Sequence, residues 1–91
     1  TVEEARSNID IGGPCMVRAS AKNYIRVASV VDPADYDRII SELENTRGTL
    51  SLGLRFELAR KAFDLTARFD RAIADFLSAR TPEAAAGCYT I

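Results

Sequence analysis

The chain contains no histidine, and that single absence removes several kinds of chemistry at once. Imidazole is the usual partner of a nucleophilic serine or cysteine and a usual nitrogen ligand of zinc. Lacking it, and lacking any Cys-x-x-Cys pair, these residues hold neither a Ser-His or Cys-His pair nor an ordinary zinc site. Cysteine is scarce as well. Cys15 and Cys88 stand far apart, and with no secretory context they read as two reduced thiols. No apolar run approaches the ~20 residues that a membrane span needs. The opening "TVEEARSN" has neither a basic region nor an apolar stretch behind it, so it is not expected to be a secretion signal. A surplus of basic charge is also missing. Twelve basic and 13 acidic residues give a formal net charge of −1, which supports neither a nucleic-acid nor a membrane-surface partner.

What is present suits one small globular unit. Hydrophobic residues make up 47% of the 91 and charged residues 27%, so the chain can bury a core and is too short for two. Thr1 and Glu4 have the capping-box spacing, which predicts a short helix over 2–7. Gly12 and Gly13 then free the backbone from Cβ constraints, and Pro14 suits a first helical position, so "PCMVRASAK" reads as a second helix over 14–22. Its many small residues allow close approach to a neighbour. "IRVASVV", residues 25–31, is β-rich and reads as one strand of largely buried character. Asp32 and Pro33 open a third helix, in which Tyr36, Ile39, Ile40 and Leu43 have the spacing of one buried face. It breaks near Gly48. The longest element runs from Ser51 to about Arg80, its stripe including Leu52, Phe56, Ala59, Phe63, Thr66, Phe69 and Ile73, aromatics read as core packing. Thr81-Pro82 ends it, and the last residues trail into a short β-prone "CYTI".

The fold class expected is therefore an α/β fragment, mostly helical, with about four helices and one strand. A lone strand cannot satisfy its own backbone groups. Residues 25–31 are thus expected to join the edge of a sheet supplied from elsewhere.

The stretch "NIDIGGPCMVRASAKN", Asn8 to Asn23, concentrates the chemistry. A helix that begins after glycines presents unpaired N–H groups and a positive dipole end, which suits phosphate, carboxylate or the polar edge of a base. Most Gly-Gly-Pro turns are simply turns. Asp10 has an equally plain reading as a brace of the loop, and Lys22 as a solvated lysine at a helix end. For the two to share a site they must converge, and spacing alone does not force it.

Three stretches then carry a resemblance: "TVEEARSNIDIGGPCMVRASAKN", "VVDPADYDRIISEL" and "LSLGLRFELARKAFDLTARFDRAIADFL". Over about residues 1–77, in unbroken order, they resemble the bifunctional purine-biosynthesis enzymes of the AICAR transformylase/IMP cyclohydrolase family. The resemblance implies that residues 1–80 are the C-terminal part of the IMP cyclohydrolase domain, whose sheet is parallel, and that 81–91 lead toward the transformylase domain. It implies ring closure of formyl-AICAR to IMP, with Asp10 and Lys22 catalytic and Ile11, Gly12 and Gly13 binding substrate. It further implies that the cyclohydrolase needs no cofactor, and that 10-formyltetrahydrofolate serves transformylase domains outside this chain. The implied partners are the purine nucleotide, the remaining parts of the same enzyme and a second copy in a homodimer, in the cytoplasm. Cys15, Tyr24 and the Ile25-Arg26 pair depart from the family's usual residues; none is a carried-over catalytic position. The residue pattern by itself also admits a non-catalytic helical interaction module completed by a partner's sheet, or a nucleotide-binding element without catalysis.

Overall fold

The computed structural model describes residues 1–89. Five α-helices follow one another: α1 (Val2–Ser7), α2 (Gly12–Lys22), α3 (Tyr36–Thr46), α4 (Leu52–Ser78) and α5 (Pro82–Ala86). Single 3-10 turns lead into α3 at Pro33–Asp35 and follow α5 at Gly87–Tyr89.

Each start has a local cause. Thr1 Oγ1 accepts from the Glu4 N–H while the Glu4 carboxylate takes the Thr1 amine, the reciprocal cap that the sequence predicts. Asp32 Oδ1 accepts from Ala34 N–H at 2.9 Å, Ser51 Oγ from Leu54 N–H at 3.1 Å, and Thr81 Oγ1 from Ala84 N–H at 3.1 Å. Helix α2 starts two residues earlier than expected. Pro14 still fits, because the first N–H groups of a helix lack intrahelical partners in any case. The end of α3 is made by Arg47 in the left-handed region (φ 61°) and Gly48 (φ 107°), whose N–H returns to the Leu43 carbonyl at 2.8 Å.

Helix α4 is the spine. Its 27 residues span about 40 Å at ~1.5 Å per residue. Helix α2 lies against it through a seam of small side chains: Ala21, Ala59 and Ala62 form the buried cluster, with Val17, Tyr24 and Val31 packed around it. Leu54 and Leu58 extend the buried face of α4 toward its N-terminus.

Four expectations are corrected. Residues 25–31 form no strand, and there is none among the described residues. Tyr24 to Arg26 instead make a turn in which the Asn23 carbonyl accepts from Arg26 and Val27 N–H, and 27–32 run irregularly beside α4. A strand exists only with a ladder partner, and the described residues supply none. Helix α3 forms where predicted, but it buries no residue; Tyr36 and Ile40 are each more than half exposed. The α4 aromatics are not a core. Phe56, Phe63 and Phe69 remain substantially exposed, and the buried stripe is Leu54, Leu58, Ala59, Ala62 and Thr66, which keeps Ala59 and Thr66 of the expected stripe and leaves out its aromatics. Finally, the tail forms α5, so helices number five rather than four; Thr90 and Ile91 of the β-prone end lie outside the described residues.

Candidate functional site

The Asn8–Gly13 turn brings an acid onto the start of α2. Asp10 is exposed, and its Oδ1 accepts from the Gly13 N–H at 3.1 Å. The first full helical bond follows at once, from Cys15 N–H to the Ile11 carbonyl at 3.1 Å. A carboxylate thus already occupies the positive end of the helix, which disfavours a phosphate at the same point and favours a ligand that brings N–H donors. Asp10 Oδ2 makes no hydrogen bond among the described residues. Ile11 and Gly12 are exposed beside it, and the space around Gly12 is open: a Cβ built there meets nothing within 4 Å.

Next to this acid lies a cavity of about 290 Å³, walled by Asp10, Gly13, Pro14 and Val17 on one side and by Leu65, Thr66 and Phe69 of α4 on the other. It is an apolar recess with one carboxylate at its rim. Lys22 does not line it. That lysine stands exposed on the last turn of α2, about 15 Å from Gly12 along the axis at ~1.5 Å per residue. The structure therefore gathers Asp10, Ile11, Gly12 and Gly13 at one end of α2 and sets Lys22 at the other. Its ammonium makes no ion pair among the described residues, and the position suits the negative end of the helix dipole.

Sequence reading missed two polar features. Asp35, only 6% exposed, receives both its bonds from Lys61 Nζ, at 2.8 and 3.1 Å. Nearby Arg60, Asp64 and Arg68 line a cleft of about 340 Å³ in which Arg68 is paired with Asp64, so most of its charge is internally neutralised. At the far end of α4, Arg6 holds the Glu3 carboxyl down to about 2, and that carboxylate in turn pushes the Cys88 thiol up. The fold makes the long-range links, Asp35 to Lys61 and Cys88 to Glu3, whereas Glu3–Arg6 and Asp64–Arg68 are neighbours on one helix face. Among the described residues there is no group of three or more metal-ligating side chains, and no helix is long and apolar enough to cross a membrane.

Two comparisons bear on identity. Residues 20–90 match the family model described as the AICARFT/IMPCHase bienzyme. The chain is also 51% identical over 83 residues to the bifunctional purine biosynthesis protein PurH of Acidithiobacillus ferrooxidans. That match takes in 91% of this chain but 16% of the relative, so the chain spans a small part of the relative's length. At most eight residues at the two ends escape the match, and the whole stretch from Asp10 to Lys22 falls inside it. With more than half of its residues matched by the family model, the chain belongs to the AICARFT/IMPCHase bienzyme family.

Proposed function

We propose that this segment supplies part of the IMP cyclohydrolase site of a bifunctional purine-biosynthesis enzyme. In that reaction the carboxamide nitrogen of formyl-AICAR attacks the formyl carbon, and water leaves to give IMP. The step calls for an acceptor near the nitrogen and a donor near the developing oxyanion.

The observation that carries the reading is the seat of Asp10. Its carboxylate is fixed by one oxygen to Gly13 N–H, and the other oxygen has no partner among the described residues. An oxygen so placed can accept an N–H from a carboxamide held along the Ile11–Gly12 backbone. Asp10 then orients or deprotonates the amide, and Lys22 stabilises or protonates the oxygen that departs as water. Lys22 rests on the family resemblance rather than on geometry. A lysine stem leans back toward its helix N-terminus and closes part of the gap to Asp10, and the intact site must close the rest. The open sides of α3 and α4 are covered, in this reading, by the remaining parts of the same cytoplasmic enzyme, including the parallel sheet that residues 25–31 would join; the working form is a homodimer. Formyl transfer from 10-formyltetrahydrofolate belongs to residues outside this chain.

Asp10→Asn tests the reading in the intact bienzyme. Asparagine keeps an oxygen for the Gly13 N–H and loses the base. Cyclisation kcat should fall by roughly 10²–10⁴, with formyl transfer retained. Cyclisation at the unaltered rate would remove Asp10 from the chemistry.

A further inference from the structure

Gly13 is the second residue of α2, where a glycine is unfavourable relative to alanine. Its backbone does not require it, because the positive-φ positions among the described residues are Arg47 and Gly48. The reason lies in what a side chain would meet. A Cβ at Gly13 would stand 2.6 Å from Asp10 Oδ2, 3.3 Å from its Cγ and 3.5 Å from Oδ1. At Gly12, the neighbouring glycine, the same atom meets nothing within 4 Å. The two glycines therefore differ in kind. A methyl at position 13 obliges the carboxylate to turn, and the turn that clears Oδ2 disturbs the seat in which Oδ1 accepts from the Gly13 N–H at 3.1 Å.

We propose that Gly13 is a positioning residue for the cyclisation, acting through the Asp10 carboxylate rather than on the substrate. The inference rests on the role of Asp10 proposed above. Gly13 contributes twice: its N–H fixes Oδ1, and its missing Cβ leaves the volume that Oδ2 occupies. Its own N–H is thereby used, so the backbone left to meet substrate is that of Ile11 and Gly12.

The test is a cycle of variants in the intact bienzyme, with cyclisation and formyl transfer measured on the same preparation. Gly13→Ala should lower cyclisation kcat by about 10²-fold or more with KM changed by less than about threefold. Adding it to Asp10→Asn should cost less than about threefold further, because the two act as one unit. A merely structural glycine would give losses that multiply, and formyl transfer would fall in step. Thermal midpoints supply a readout independent of turnover. Gly13→Ala should lower the midpoint in the presence of Asp10 and raise it in an Asp10→Ala background, where the seat is vacant and alanine favours the helix. Should Gly13→Ala alone fail to fold, the Asp10→Ala, Gly13→Ala double variant must fold, and its failure overturns the proposal. A fully active Gly13→Ala beside a crippled Asp10→Asn overturns the proposal and leaves the role of Asp10 standing. A fully active Asp10→Asn removes both.

Discussion

Lys61 and Asp35 are 26 positions apart and form a part-buried ion pair that no local spacing announces. Asp35 is 6% exposed, whereas a third of the Lys61 side chain remains in solvent. Removing the lysine strands a buried carboxylate, the costly way to break such a pair. Lys61→Ala is expected to destabilise the fold by about 1–3 kcal/mol, less than a fully enclosed pair because the lysine is partly hydrated. Adding Asp35→Ala should recover part of the loss, and urea denaturation of the four proteins of the cycle measures it. The Asp10 brace was half legible in the same sense. An acid before a Gly-Gly turn suggests a cap, but only the built backbone shows that Gly13, and not Gly12, is the residue on which the carboxylate sits.

Among the elements, the starts at Thr1, Asp32 and Ser51 were readable because their causes are local, each capping within three residues, whereas Thr81 was read only as an end and in fact also caps α5. Burial was not, because it depends on what the rest of the chain brings up. The 36, 39, 40, 43 spacing made α3 a helix, yet among the described residues that face is covered only in part: Ile39 and Leu43 are half-buried, while Tyr36 and Ile40 stay exposed. Instead α3 is held to α4 by polar links at its rim. Arg38 pairs with Glu57 at 2.8 Å, and Glu42 Oε1 accepts from the Ser51 N–H at 2.5 Å. The Ser51 backbone bond holds the Glu42 carboxyl below its ordinary value of 4.5, and the Arg38 bond does the same for Glu57. Folded values lowered in this way mean that the links stabilise above the ordinary carboxylate range and are lost as pH falls through the lowered values. Both carboxylates are half-buried at the surface and reached by solvent, so the effect is local and modest. Between about pH 6 and about pH 3, hydrogen-exchange protection of residues 36–46, corrected for intrinsic rates, should fall relative to residues 54–62. A constant ratio would show that these carboxylates do not hold α3.

The whole molecule is long and thin, 58 × 21 × 19 Å, with a radius of gyration of 18.2 Å. A compact chain of this length would have about 12 Å. Among the described residues five apolar side chains are buried, three of them alanines, so the seam between α2 and α4 is most of the core that they make. That is why the strand reading of 25–31 failed here: β-rich composition was legible, but a strand also needs a pairing partner, and the described residues offer none. Family membership, by contrast, was legible from runs of residues in order, which need no folded context. The central claim is that the α2 region belongs to the cyclohydrolase chemistry, and Lys22 is its most exposed member, since the geometry of this chain leaves it at the opposite end of the helix from Asp10. The direct measurement is the rate of formyl-AICAR cyclisation by the intact bienzyme carrying Lys22→Ala, with Lys22→Arg beside it. The account predicts a kcat lower by roughly 10²–10⁴ for the alanine variant, formyl transfer unchanged, and partial rescue by arginine if the lysine acts through its charge. Cyclisation by Lys22→Ala at the wild-type rate would contradict it and leave Lys22 a solvated lysine at a helix end.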